Sequence, residues 1–340
     1  MARFGSDQNK VVGVHESGVY GTAGVDDIGS IFWMGQVTDC SIDDNENKVI
    51  NRYLGTASRN FDVIDQGPID ITGTITLNSQ DMRFPFWAIG SVTETSGTDA
   101  AYTHIVNENA TNAWQSAWTS GTDRLQAPIS WTIEDSKQSP GTGANFIRTV
   151  NGCVVDTVTV NATQGEKVTT EVGLIGQNLT HSSGTSKAVV EITNTPYLWS
   201  DCTLTVSGNT LETAKEINFE VNNNMNAPHY VNGSRVIAAP FPGNKDYTLT
   251  VTADLVSPLA DVLYTDLFKG NGTFNTTFDL DADVTATGSQ HTIFFMSGCK
   301  IISMDAPSTV EGINEVTMEI RPEILVGSSF DANGTWAPYA

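Results

Sequence analysis

Apolar and polar residues alternate with period two in several stretches of the chain. In "IDITGTITL" (69–77), Ile69, Ile71, Gly73, Ile75 and Leu77 share one face, while Asp70, Thr72, Thr74 and Thr76 share the other. "YTLTVTADL" (247–255) separates Tyr247, Leu249, Val251, Ala253 and Leu255 from Thr248, Thr250, Thr252 and Asp254 in the same way. Side chains of a strand point alternately to its two faces, so each stretch reads as a strand with one buried face; β-branched threonine suits the outer one. After Leu255, Ser257 fits an N-cap, Pro258 a first helical position and Gly270 a stop. Leu259, Val262, Leu263 and Leu267 fall at helical spacing between them, which predicts a helix. After Leu77, "NSQDMRFPFWAIG" is also apolar and ends in glycine, and Pro85 limits it to a helix of one or two turns.

The same order of words occurs twice. "NGCVVDTVTV" (151–160) and "SGCKIISMDA" (297–306) are each followed by a glycine-containing turn and an alternating strand, with Val168, Thr170, Val172 and Leu174 in the first copy and Val316, Met318 and Ile320 in the second. Each is preceded by an alternating strand, a helix and a Trp…Asp-Cys strand, holding Asp39-Cys40 and Asp201-Cys202. Six elements in one order predict an old duplication with insertions. The expected fold is mainly β: two tandem antiparallel β-barrel or sandwich domains, each with one flanking α-helix. The expected boundaries are an N-terminal arm at 1–30, domain 1 at 31–190, domain 2 at 195–325 and a C-terminal arm at 326–340. Segment 91–145, rich in Gly, Ser and Thr and carrying Trp114, Trp118 and Trp131, reads as an insertion in domain 1.

Charge narrows the function. Lys plus Arg total 17 against 39 Asp plus Glu, a net charge of −22. That excludes the basic footprint of a nucleic-acid binder and fits either a solubilising surface or one that keeps nucleic acid from sticking. The first ten residues lack a signal peptide's apolar core, and no run of about 20 apolar residues suggests a membrane span. His15, His104, His181, His229 and His291 are scattered, and no nucleophile elbow, phosphate loop, dinucleotide fingerprint or zinc-protease motif occurs. No enzyme and no cofactor is expected.

Asp279, Asp281 and Asp283 alternate along one strand face and are a weak candidate for a hard cation; a solvated acidic face is the plainer reading. "DDNENKVINRYL" from Asp43 opens like a calcium loop but has Lys48 where glycine is needed and Leu54 where a bidentate glutamate is needed. The cysteines form two equivalent sets, Cys40 with Cys153 and Cys202 with Cys299. One disulfide per domain is possible if their strands are neighbours, and free thiols are the expected state. Seven Asn-x-Ser/Thr sites, from Asn109 to Asn333, carry little weight in so Asn- and Thr-rich a chain.

"ESGVYGTAG" (16–24), "GPIDITGTITL" (67–77) and "NGCVVDTVTVNATQGEKVTTEVGLIG" (151–176) resemble the tail tube proteins of tailed viruses. The similarity covers most of residues 10–325, through short β patterns. It implies a virion protein assembled in the host cytoplasm, whose rings stack into a hollow tube with an acidic lumen for DNA in transit. Implied partners are copies of itself, stacked rings, and the tape-measure, terminator and baseplate or tip proteins. With two tube domains per chain, three chains make a pseudo-six-fold ring; a homohexamer is the alternative. The resemblance places ring stacking in loops 43–68 and 207–246, with Asp43, Asp44, Glu46, Arg52 and Arg59 in the first. The second carries Asn222, Asn223, Asn224, His229 and Arg235. Tyr20, Phe32 and Trp33 would pack on a neighbouring subunit, core packing being the alternative. Rival readings are a carbohydrate-binding adhesin or decoration protein using Trp114, Trp118 and Trp131, and a two-carboxylate carbohydrate-active enzyme.

Overall fold

A computed structural model describes residues 9–16, 20–21, 31–51, 63–96, 102–108, 130–139, 145–189, 191, 195–255, 262–282, 290–307 and 314–331. The first half contains β1 (Asn9–His15), β2 (Ile31–Phe32), β3 (Gln36–Asn45), β4 (Val49–Asn51), β5 (Val63–Asp65), β6 (Asp70–Asn78) and helix α1 (Arg83–Ile89). It continues with β7 (Gly90–Ser96), β8 (Tyr102–Glu108), β9 (Trp131–Gln138), β10 (Asn145–Thr163), β11 (Thr169–Gly176) and β12 (Asn178–Ser182). The second half contains β13 (Cys202–Val206), β14 (Asn209–Thr210), β15 (Ala214–Asn222), β16 (Asp246–Asp254) and the π-type helix α2 (Val262–Lys269). It ends with β17 (Phe274–Ala282), β18 (Gln290–Asp305), β19 (Glu315–Arg321) and β20 (Ile324–Asp331). The protein is mainly β, with large antiparallel sheets in a sandwich-like or barrel-like fold.

The long strand β10 belongs to two sheets. Its first part pairs with β9 and β12, its second with β11 and β15. It turns the corner at Gly152, whose φ of +67° a side chain would resist, and its register with β9 shifts there. β18 does the same at Gly298, φ +64°, between β17 and β20 on one side and β19 on the other.

Even the irregularities match. Val155↔Leu174 then Thr157↔Gly173 skips Asp156; Ile301↔Ile320 then Ser303↔Glu319 skips Ile302, the equivalent position of the second half. Likewise β3 slips past Thr38 against β6, and β15 slips past Lys215 against β16. The pairing therefore corrects the matching read from sequence. β15, not the Cys202 strand, stands where β3 stands; the Cys202 strand β13 flanks β17 as β1 flanks β9. β1 is thus a full sheet strand, although it lies within the stretch read as an N-terminal arm, and β20 extends well into the stretch read as a C-terminal arm.

The halves join edge to edge. β10 pairs with β15 over Thr157↔Asn222 to Thr163↔Glu216. One long sheet results, in the order β3-β6-β11-β10-β15-β16-β19-β18. The hairpin β7–β8, from the segment read as an insertion, adds to β20 of the second half. Helix α1 is buried along its whole length, and Pro85 is tolerated because it sits in the first turn, where no helical N–H bond is lost. Trp87 packs on Phe32, Phe84 and Trp131 of its own half at 5.3–5.5 Å. Phe86 meets Phe294 of the other half at 5.7 Å, and Phe294 meets Phe219 at 5.1 Å. The apolar core is consequently continuous across both halves. Each buried aromatic contributes about 2–3 kcal/mol of transfer free energy to it.

Candidate functional site

The long sheet has one apolar face, covered by the core, and one polar face. Strand alternation puts Thr72, Thr74 and Thr76 of β6, Glu171 of β11, Thr157 and Thr159 of β10, and Glu216, Asn218 and Glu220 of β15 on the polar side. Thr248, Thr250 and Thr252 of β16, Thr317 and Glu319 of β19, Ser303 and Asp305 of β18, and Asp39 and Asp43 of β3 continue it. Two of the cations here are engaged, while Lys300, exposed opposite Arg321, has no ion pair among the described residues. Lys215 Nζ lies 2.6 Å from both Asp254 and Glu315, hydrogen bonds that hold its pKa above the usual value, and Arg321 Nε lies 2.9 Å from Glu319. Asp39, Asp43, Glu171, Glu216, Glu220 and Asp305 have no ion pair among the described residues. The surface is a threonine-rich, net acidic sheet face.

Two loops meet at one end of this sheet. Ile69 N–H donates to Arg235 O at 2.8 Å, and Arg235 donates to Gly67 O at 2.8 Å and Gln66 Oε1 at 2.9 Å. Glu46 lies 3.9 Å from Arg235, and His229 Nε2 lies 2.8 Å from Asp70 Oδ1. The structure brings Glu46, His229 and Arg235 together here, with Asp43 and Asp44 exposed at the adjoining end of β3. Among the described residues the hairpin β4–β5 pairs only with itself, and it exposes Val49, Ile50 and Ile64. Arg52 and Arg59 lie outside the described residues. Asn222 faces Thr157 on the sheet; Asn223 is buried and donates to Val155 O at 3.1 Å. Asn224, at φ +47°, donates to Asn244 O and Asp246, which shapes the turn.

The aromatic candidates for subunit contact pack within their own chain. The ring of Tyr20 lies against Gly152, 2.9 Å from where a Cβ would stand, and burial pushes its phenol pKa up. Phe32 is buried with its ring 4.6 Å from His15 and 4.8 Å from the Arg83 guanidinium. Trp33 Nε1 donates to Gln80 Oε1 at 3.1 Å. Sequence reasoning missed Glu16, which anchors this region. It is fully buried, and its carboxylate accepts from Gly21 N, Ser130 Oγ, Thr132 Oγ1 and Gly152 N at 2.6–3.0 Å. Its only sequence signal is a lone acid between an apolar strand and a glycine-rich turn.

All four cysteines are free thiols. Cys153 donates to Val150 O at 3.4 Å, and Cys299 donates to Met296 O at 3.5 Å, each three residues back across its glycine corner. Cys202 and Cys299 cannot be bridged. They stand opposite Leu280 and Phe274 on β17, six positions or about 20 Å apart, where a disulfide needs about 7 Å or less. β6 and β11 lie between the strands of Cys40 and Cys153 in the pairing order. Asp279 Oδ1 lies 2.7 Å from His291 Nε2, Asp281 is exposed, and Asp283 falls outside the described residues, among which no acidic or His/Cys cluster of metal-binding kind occurs. Trp131 is buried against Phe84 and Trp87 and unavailable for a sugar; Trp114 and Trp118 lie outside the described residues.

No helix among the described residues is long and apolar enough to cross a membrane. Comparison with curated proteins returns no match. A family model described as phage tail tube protein matches residues 8–336. With nearly the whole chain covered, this protein belongs to the phage tail tube family, structural proteins of the virion tail.

Proposed function

We propose that three copies of the chain close into a ring, that rings stack into a hollow tube, and that the polar face of the long sheet lines the bore through which DNA passes. Family membership carries self-assembly into a polymer and association with other tail components. One observation supports the trimer: the β10–β15 joint inside the chain. Among the described residues, the free ends of the long sheet are β18, the counterpart of β10, and β3, the counterpart of β15. Joining β18 of one copy to β3 of the next repeats the internal joint, and three copies of eight strands give a sheet of twenty-four. At about 4.8 Å per strand this closes at about 37 Å across before tilt widens it.

The cavities agree with an unfilled joint. Beside β3 runs a groove of about 850 Å³ lined by Asn9–Val11, Gln36–Cys40 and Asp135–Gln138. Its counterpart beside β15 holds about 230 Å³, and there Ala162 and Gln164 at the end of β10 form part of the wall. The flanking sheets and α1 cover the apolar face, so the polar face alone is free to line a bore. Its surplus carboxylates repel phosphates and leave DNA mobile. The stitched loops and the β4–β5 hairpin lie at one end of the sheet, where one ring meets the next.

Asn45→Cys with Ser303→Cys tests the ring. Oxidation should yield a closed, cross-linked trimer, and electron microscopy should show hollow rings and tubes. Monomers that never cross-link at high concentration would overturn the reading.

A further inference from the structure

The shared register specifies which residues meet between copies, given the ring proposed above. Within the chain, Thr157 faces Asn222, Val158 faces Val221, and Thr159 faces Glu220. β18 repeats β10 with Ile302 in the place of Asp156, and β15 repeats β3 with Lys215 in the place of Thr38, so that even the bulges coincide. The same ladder between copies therefore sets Ser303 against Asn45, Met304 against Asp44, and Asp305 against Asp43. The internal joint has a fully buried Val158–Val221 pair, and its two carboxylates, Glu220 and Glu216, face threonines. The joint between copies has aspartate facing aspartate on the polar face, while Asp44, next along β3, points to the opposite face.

We infer that Asp305 of one copy and Asp43 of the next form a like-charged contact on the polar face that restrains free copies from joining until it is neutralised. Like charges directly opposite on neighbouring strands repel, and two facing carboxylates favour retention of a proton. No ion pair among the described residues holds them, and the one exposed cation on the same face of β18, Lys300, stands five residues from Asp305 at the far end of the ladder with β19, opposite Arg321. Across β6, Asp43 faces Thr72 and Asp44 faces Ile71, while Asp70 at that end is held by His229 and Asn47. Glu46 pairs with Lys48 and Arg235, and Arg148, which donates to Ile42 O, pairs with Asp135, as does Lys137. Across β19, Asp305 faces Thr317; Glu319 holds Arg321, and Glu315 shares Lys215 with Asp254. Asp43, Asp44 and Asp305 are all exposed in the single chain.

The joined state binds protons that free copies release, so assembly strengthens as pH falls, and salt weakens the repulsion. The test measures, by sedimentation, the full-length protein concentration needed for assembly between pH 5 and pH 8, at low and high salt. It compares wild type, Asp43→Asn, Asp305→Asn, the double variant and, as a charge control, Glu212→Gln. Wild type should need up to about fivefold more protein per joint at pH 8 than at pH 5. Either single variant should remove most of that difference, the double variant should add little, and Glu212→Gln should behave as wild type. Identical profiles for all five, or a double variant with twice the single effect, would overturn the inference. The Asn45→Cys/Ser303→Cys cross-link separates the two readings. Cross-linked trimers without the charge effect sink only this inference; no cross-link at any pH sinks the ring as well.

Discussion

Gly152 and Gly298 stand in opposite halves of the chain and hold one backbone geometry, at φ +67° and +64°. Each precedes a cysteine whose thiol donates back across the corner, and each is bridged the same way, by Gln177 N–H to Asn151 O at 2.8 Å and Glu323 N–H to Ser297 O at 3.0 Å. The two Gly-Cys words mark the points where a long strand leaves one sheet for another.

Gly152→Ala and Gly298→Ala should each lower stability by about 1–3 kcal/mol, from the left-handed backbone and from a Cβ placed 2.8 Å from Gln177 or Glu323. Gly152→Ala should be the worse, because it also meets the Tyr20 ring. Urea midpoints measure this; unchanged midpoints would show that the corners accept a side chain.

Glu16→Ala should cost about 3 kcal/mol or more, because it strands Gly21 N, Gly152 N and two hydroxyls in the interior. Glu16→Gln keeps the shape but loses half the acceptor capacity and should fall between. Chemical denaturation with intrinsic fluorescence reads both, and a neutral Glu16→Ala would refute the anchoring role.

Burial pushes the Cys40 and Cys202 thiols up to about 12, and nearby acids add to it: Asp135 for Cys40, Asp201 for Cys202. A folded pKa above the unfolded one means the stability contribution is complete below pH 9 and is lost as pH rises from 9 through 12. Stability should decline across that window, less steeply in Cys40→Ser. At neutral pH the thiols should resist iodoacetamide until the chain is unfolded; rapid labelling of the folded protein would contradict the assignment.

Ile50 and Ile64 are 58% and 46% exposed on the β4–β5 hairpin, a cost in water that a neighbouring ring would relieve. Ile50→Glu with Ile64→Glu should leave folding and the proposed rings intact and abolish tubes. Size-exclusion chromatography and electron microscopy distinguish the outcomes, and tubes of normal length would rule out stacking through this hairpin.

The alternation in β6, β11, β16 and β19 was legible because each strand has one face in the core and one in water. α1 was legible as a short apolar helix; α2 runs from Val262 to Lys269 with π-type pairing, while Ser257 and Pro258 lie outside the described residues. The Trp…Asp-Cys echo misled. Cys40 and Cys202 share a word, yet β3 pairs with β6 while β13 pairs with β17. Tyr20 and Phe32 read equally well as interface or core; within the chain, half-buried Tyr20 lies against the corner at Gly152, and Phe32 is buried beside Arg83 and Trp87. Glu16 was invisible because three of its donors, on Ser130, Thr132 and Gly152, lie far along the chain from it.

By itself, the sequence determined which side of each strand is buried, where the chain turns, and that its pattern runs twice. Tertiary structure decided which strands are neighbours, and so which edges of the long sheet are free and which carboxylates share its polar face. The reason is physical. Side-chain polarity records burial residue by residue, whereas ladders are built from backbone N–H and C=O groups that nearly every residue supplies alike. Partner choice is therefore written in the packing of the whole chain, not in any one stretch of it.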